Sequence, residues 1–170
     1  MEERMTNSDE KVISESVQRL LGTNATANGW LSFWRTRKTR VTANLIRELQ
    51  CNDSLKDRYV VVDVRAKAES DVSIIPGAIS KAEFEQKETQ HAGKAVIAYC
   101  TIGFRSGLYV KSLRQKGWNA WNYKGSIIDW CKNKLPLTTL DGETTRRVHT
   151  YIRWYSVPNE YDAVPERNSR

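Results

Sequence analysis

Long apolar runs are missing from this 170-residue chain, and no stretch nears the roughly 18 consecutive apolar residues of a membrane helix. A membrane-spanning protein is not expected. Cysteine is scarce: Cys51, Cys100 and Cys131 are an odd number without C-x-x-C spacing, which argues against both a disulfide framework and a zinc site. Reduced thiols are expected. The two histidines, His91 and His149, stand apart without metal-ligand spacing, so neither a metal nor another cofactor is expected. The opening residues, "MEERMTNSDEKVISES", are charged and polar where a secretory signal needs an apolar stretch. The expectation is a cytoplasmic protein, in which Asn24-Ala-Thr26 and Asn52-Asp-Ser54 match the glycosylation pattern only by chance.

What is present is globular: 39% hydrophobic and 28% charged residues with six tryptophans. The length suits one domain with extensions. A net charge of +7 favours anionic partners. Lysine and arginine are nevertheless spread along the chain, and the one dense run, Arg35 to Arg40, reads as a solvated face rather than a polyanion site. Nucleic acid is therefore not an expected partner.

No internal repeat is visible. Asn7 followed by Glu10 reads as a capping box, and Ile13, Val17, Leu20 and Leu21 recur at helical spacing until Gly22. After a small-residue connector, Trp30, Phe33 and Trp34 form an aromatic cluster that reads as packing. Thr42 caps a second helix carrying Leu45, Ile46 and Leu49 on one side. "YVVVDVR" (Tyr59 to Arg65) is a β-branched run ending in a charged pair, and "AVIAYC" (Ala95 to Cys100) has the same form, the pattern of strands buried on both faces. Ser106 to Lys116 is expected as a helix with Leu108, Val110 and Leu113 inward and Gly117 closing it. "WNAWNY" (Trp118 to Tyr123) reads as a strand, Gly125 as a turn, and Ile127 to Lys132 as a short helix containing Trp130. Val148, Tyr151, Ile152 and Tyr155 then share helical spacing, so a C-terminal helix or turn and a tail are expected.

Strands alternating with helices indicate an α/β domain with a parallel sheet, whose ligands bind beyond the carboxyl ends of the strands. Cys100 stands at such an end. The loop that follows, "CTIGFRS", carries two devices that lower a thiol's pKa: the cation of Arg105 and a helix N-terminus opening near Ser106. Gly103 permits the turn that lets the amides of Thr101, Ile102, Gly103, Phe104 and Arg105 face inward as an anion-binding nest. A serine-hydrolase elbow is excluded by spacing, since "GFRSG" is G-x-x-S-G and not G-x-S-x-G. Phe104 is expected at the mouth of the nest. Asp63 and Arg65 read as a pair at a strand end that supports the site from behind.

These residues together resemble the rhodanese-like sulfurtransferase family, a single domain of which is similar to the stretch from about Thr42 to Leu137. The resemblance rests on Asp63-Val64-Arg65, the acidic Glu69, the Pro76-Gly77-Ala78 turn, the Cys-x4-Arg loop from Cys100 to Arg105, and a late Gly125-Ser126 turn followed by Trp130. Where the family commonly has a Gly-His pair before its turn, this chain has Ser73 and Ile74, and the second glycine of the late pair is Ser126. The resemblance implies a central parallel β-sheet flanked by helices on both faces over residues 41–137. Residues 1–40 are then an N-terminal extension with a short amphipathic helix, and residues 138–170 the C-terminal helix or turn and tail.

The resemblance further implies a catalytic Cys100, a substrate-binding loop of Thr101, Ile102, Gly103, Phe104, Arg105 and Ser106, and Asp63 and Arg65 behind them. The implied reaction moves a sulfane sulfur from a small anionic donor such as thiosulfate to cyanide or a thiol through a Cys100 persulfide, without metal or cofactor. A sulfur-carrier protein is a further acceptor that fits. A Cys-based phosphatase or arsenate reductase is a less favoured alternative: phosphatases on the same fold resemble the chain but have Cys-x5-Arg, a loop wide enough for phosphate or arsenate, and four intervening residues here favour a sulfur-sized pocket. A non-catalytic docking or regulatory module is the remaining alternative, although such modules usually lack the loop cysteine.

Overall fold

The computed structural model describes residues 14–22, 40–152 and 154–165. Asn7, Glu10, Asn24, the Trp30, Phe33 and Trp34 cluster and the basic run up to residue 39 lie outside the described residues.

Tyr59–Asp63 (β1), Ile79–Ser80 (β2), Ala95–Tyr99 (β3) and Ala120–Asn122 (β4) form one sheet in the order β2-β1-β3-β4. All three pairings are parallel. Because successive strand residues point to opposite faces, the apolar runs divide between two cores. Val61, Ile97, Tyr99 and Trp121 face one side, packed with residues of Glu15–Leu21 (α1), Ala43–Gln50 (α2) and Ser126–Lys132 (α6). Val60, Val62, Val96 and Ala98 face the other, with Phe84 of Lys81–Gln86 (α4) and Val110 and Leu113 of Phe104–Gln115 (α5). Helices cover both faces of a central parallel sheet, as expected.

α1 belongs to this core. Ser14 caps it, accepting from Val17 N–H at 3.3 Å, and the Ser14 hydroxyl and amide both donate to the Glu48 carboxylate at 2.8 Å. Gly22 ends it at φ 69°, where only glycine sits without strain. Val17 and Leu20 are wholly buried. Leu20→Ala should therefore lower stability by about 2–5 kcal/mol, read as a shift of the urea midpoint; a shift within error would place α1 outside the cooperative unit.

Three local expectations are corrected. The helix after Cys100 begins at Phe104, not Ser106, and its buried residues are Ser106, Val110 and Leu113. Leu108 lies two positions off that face and is exposed. The C-terminal helix over 148–155 is instead a strand, Arg147–Tyr151 (β7), paired in parallel with Asp162–Pro165 (β8). Val148, His149 and Thr150 are all buried there. Their helical spacing was coincidental: β-branched and aromatic residues suit an extended chain, and the partner strand is supplied from beyond a turn. Leu137–Thr138 (β5) and Thr144–Thr145 (β6) make a second small antiparallel pair, and Thr138 also bridges Ile74.

The chain leaves β1 for β2 on one side and returns with β3 on the other, so the order reverses between β1 and β3. In such sheets the crevice beyond the carboxyl ends of the two strands is the ligand-binding position. The residues that follow β1 and β3 are those the sequence singled out.

Candidate active site

Cys100 follows β3 directly, and its backbone and that of Thr101 are held by three hydrogen bonds. Its N–H donates to the Ser126 hydroxyl at 3.0 Å, and its carbonyl and that of Thr101 accept from Ile127 and Ile128 N–H at the start of α6. Ser126 itself takes φ 54°, a left-handed conformation unusual outside glycine. Its hydroxyl proton goes to the Tyr123 carbonyl at 2.8 Å. The serine at this turn position thus keeps the turn and adds a hydroxyl under the Cys100 amide.

The loop curls around Sγ. Gly103 N–H lies 3.1 Å from it, and the Ser106 hydroxyl 3.6 Å. Gly103 has φ 92°, and a β-carbon there would collide with the Lys124 backbone carbonyl, so this position requires glycine for conformation and for space. Burial would raise the Cys100 thiol, but the Ser106 amide and hydroxyl and the Ile102 and Gly103 amides hold it below the ordinary cysteine value. The backbone nest therefore favours the thiolate.

Asn122, at the end of β4, ties this arrangement together. It donates to the Gly103 carbonyl at 3.0 Å and accepts from the Ser106 hydroxyl at 2.8 Å. One hydroxyl has one proton, so Ser106 donates either to Asn122 or to sulfur, and the shorter distance favours Asn122 while Cys100 is a neutral thiol.

Arg105 is engaged by Glu69 in Lys67–Ser70 (α3). Its two terminal nitrogens lie 2.6 and 2.8 Å from the two carboxylate oxygens, the bidentate geometry that fixes a guanidinium most firmly. One of them also donates to the Thr101 hydroxyl at 2.9 Å. Burial would raise the Glu69 carboxyl, but hydrogen bonds from Arg105 and the Ala66 amide, with the charges of Arg105 and Arg65, hold it below the usual glutamate value. Glu69 is ionised and 3% exposed, and the Arg105–Glu69 pair carries no net charge.

Asp63 and Arg65 lie behind the loop as a buried ion pair with a shortest contact of 2.6 Å. Asp63 also accepts from the Tyr99 hydroxyl at 2.7 Å, which accepts in turn from Ile75 N–H, and Arg65 donates to the Ser73 carbonyl. The pair joins the ends of β1 and β3 to the segment before Pro76, and its hydrogen bonds go to Ser73 and Tyr99 rather than to the loop.

The other thiols have different surroundings. Cys51 is exposed, whereas burial pushes the Cys131 thiol up to about 12. Ile102 and Phe104 are exposed at the loop's rim, Phe104 by 69%. A cavity of about 550 Å³ lined by Lys134, Thr144, Arg146, Glu160 and Tyr161 shares no residue with the Cys100 network.

The structure thus brings together Cys100 and the loop residues Thr101 to Ser106, with Asp63 and Arg65 behind. It adds Ser126, Asn122, His149 and Tyr151, which the sequence did not single out for the site, and gives Glu69, known only by its place in a motif, a partner. Ser126 left one trace, a non-glycine in a glycine turn. The others left none, because their partners lie 16 or more residues away.

No curated protein matches the chain. Among solved structures, the crystal structure of the BH2092 protein from Bacillus halodurans is similar, with a TM-score of 0.52 at 19% identity over 65% of this chain and 83% of that one, which supports the fold. The family described as the Rhodanese-like domain matches residues 44–133, from α2 through α6 and so across the entire sheet and the Cys100 loop. With a match over half its length, the chain belongs to the rhodanese-like domain family.

Proposed function

We propose that this protein is a sulfurtransferase that carries a sulfane sulfur on Cys100. The observation that carries the reading is the convergence of the loop amides on Sγ, with Gly103 N–H at 3.1 Å. A thiolate bearing a terminal sulfur is an anion, and preorganised amides stabilise it without cost at the moment of reaction. The count of four residues between Cys100 and Arg105 keeps the nest small, which favours sulfur over a phosphoryl group.

In the first step the Cys100 thiolate attacks the outer sulfur of a donor such as thiosulfate. A new S–S bond forms, the donor's S–S bond breaks, and its electron pair leaves with sulfite. In the second step cyanide or a thiolate attacks the outer sulfur of the persulfide, the S–S bond to Cys100 breaks and the Cys100 thiolate returns, a two-step covalent cycle. Both leaving groups depart as anions, so the reaction needs no proton shuttle. Free thiols as acceptors suit a reducing, cytoplasmic setting.

Mass spectrometry after incubation with thiosulfate should show one added sulfur atom on the Cys100 peptide, removed by cyanide as thiocyanate, and none on Cys100→Ser. A folded wild-type protein that takes sulfur from neither thiosulfate nor an organic persulfide would refute the reading. Hydrolysis of an aryl phosphate by the same cysteine would replace it with a phosphatase.

A further inference from the structure

Residues beyond 133 lie outside the family match, yet β7 reaches the candidate site. His149 Nδ1 lies 3.9 Å from Glu69 Oε1, and the Tyr151 ring centroid lies 5.0 Å from the guanidinium carbon of Arg105. Tyr151 is placed there by an unusual backbone. Its φ is 65°, its N–H donates to His149 Nδ1 at 3.2 Å, and the pairing with β8 is irregular between His149 and Tyr151. An aromatic residue in the left-handed region persists only where its surroundings hold it, and irregular pairing of this kind re-aims a side chain.

The consequence lies in the charge of the rim. Arg105 is the loop's cation, but Glu69 holds both of its terminal nitrogens, Thr101 one of them, and Tyr151 covers its face. An inorganic dianion arriving at this pair meets no net positive charge. Apolar side chains are exposed around it: Ile102, Phe104 and Tyr151 are 44%, 69% and 45% exposed.

We propose that Tyr151 is a specificity-determining residue, and that the site takes its sulfur from a donor with an apolar organic body and at most one negative charge, in preference to an inorganic dianion. This rests on the sulfurtransferase reading and names the substrate class of the same site. With a thiosulfonate donor, the Cys100 thiolate bonds to the terminal sulfur, the bond from that sulfur to the sulfonyl sulfur breaks, and the electron pair leaves with the sulfinate. The products are a Cys100 persulfide anion and one sulfinate anion, so charge and atoms balance. The donor's organic body lies against the Tyr151 and Phe104 rings, where aromatic contact contributes to binding.

The test compares benzenethiosulfonate with thiosulfate, cyanide being the acceptor in both. Wild type should favour the aryl donor in kcat/KM by about tenfold or more, and Tyr151→Ala should reduce that ratio by about tenfold, chiefly through the KM of the aryl donor. Tyr151→Phe should keep the wild-type ratio, since the ring and not the hydroxyl is invoked. An unchanged ratio in a folded Tyr151→Ala protein, or a wild-type preference for thiosulfate, overturns the proposal. If neither donor transfers sulfur, the sulfurtransferase reading falls alone, and alkylation decides the rim. Cys100 should then prefer iodoacetanilide over iodoacetate more strongly than exposed Cys51 does, and Tyr151→Ala should abolish the difference. Equal selectivity at the two cysteines of the wild type overturns the proposal by that route.

Discussion

Gly103→Ala should lower the proposed sulfur transfer through Cys100 by about 100-fold, the scale of losing one preorganised donor to a developing anion. Two separate constraints meet at this residue. Its φ of 92° is a conformation that side-chain-bearing residues rarely adopt, and the added methyl would strike the Lys124 backbone carbonyl, which cannot swing aside as a flexible side chain could. The loop must move, and its N–H leaves Sγ. The carbonyl of Gly103 also loses its place between the Asn122 side chain and Gly107 N–H. Since the loop amides help to hold the thiol below its ordinary value, the same variant should show a Cys100 titration displaced upward toward that of an unperturbed thiol. Two measurements check this: the initial rate with a saturating donor, and the pH dependence of alkylation at Cys100. The strain should cost about 1–3 kcal/mol of stability, so the variant should remain folded for both. Activity within about threefold of wild type would mean that the loop amides do not stabilise the reacting sulfur.

Asp63→Asn is expected to have the largest effect on stability. It leaves the Arg65 guanidinium, whose side chain is 0% exposed, without its counter-charge. One terminal nitrogen of Arg65 already has no hydrogen-bond partner among the described residues, so the site holds no spare acceptor for the orphaned charge. Breaking one side of a buried pair costs about 3–5 kcal/mol. For a chain of this length that corresponds to a fall in Tm of roughly 6–20 °C. Removing both charges with apolar residues of similar volume, Asp63→Leu with Arg65→Met, should recover part of the loss, because the penalty belongs to the unpaired ion and not to the missing bridge. Lys67→Ala, which breaks the exposed pair with Asp71 at 2.7 Å, is the control and should change stability by less than about 1 kcal/mol. An Asp63→Asn protein as stable as the Lys67→Ala control would show that the buried pair is not a structural support.

The two variants separate the roles the sequence assigned. Gly103 acts on the sulfur directly. Asp63 acts through the ends of β1 and β3, so a loss of activity there should follow its loss of stability.

Local patterns made much of this legible in advance. The runs 59–65 and 95–100 read as strands covered on both faces, and the strands and both cores are present. The Thr42 cap and the buried trio Leu45, Ile46 and Leu49 lie within one helix, where spacing alone sets the face. Gly103 and the helix after it are neighbours in sequence, so the turn and the nest could be read without knowing the fold. The same logic misled at Leu108, because beginning the helix two residues late does not reveal which of two adjacent stripes faces the sheet. It misled again at 148–155, where helical spacing and extended, aromatic-rich composition disagreed and a distant strand decided between them.

By itself the sequence determined the place of Cys100 at the end of a strand, the four residues that separate it from Arg105, and the parallel α/β layout, because each is written in residues close along the chain. Only the tertiary structure decided what surrounds the sulfur. Glu69 meets Arg105 across 36 positions, and Asn122 meets Ser106 across 16. Tyr151 reaches the same arginine from a strand the local pattern had read as helix. The physical reason is that charge balance and shape at a site depend on which groups pack together, and those groups come from separate elements whose meeting no local periodicity records.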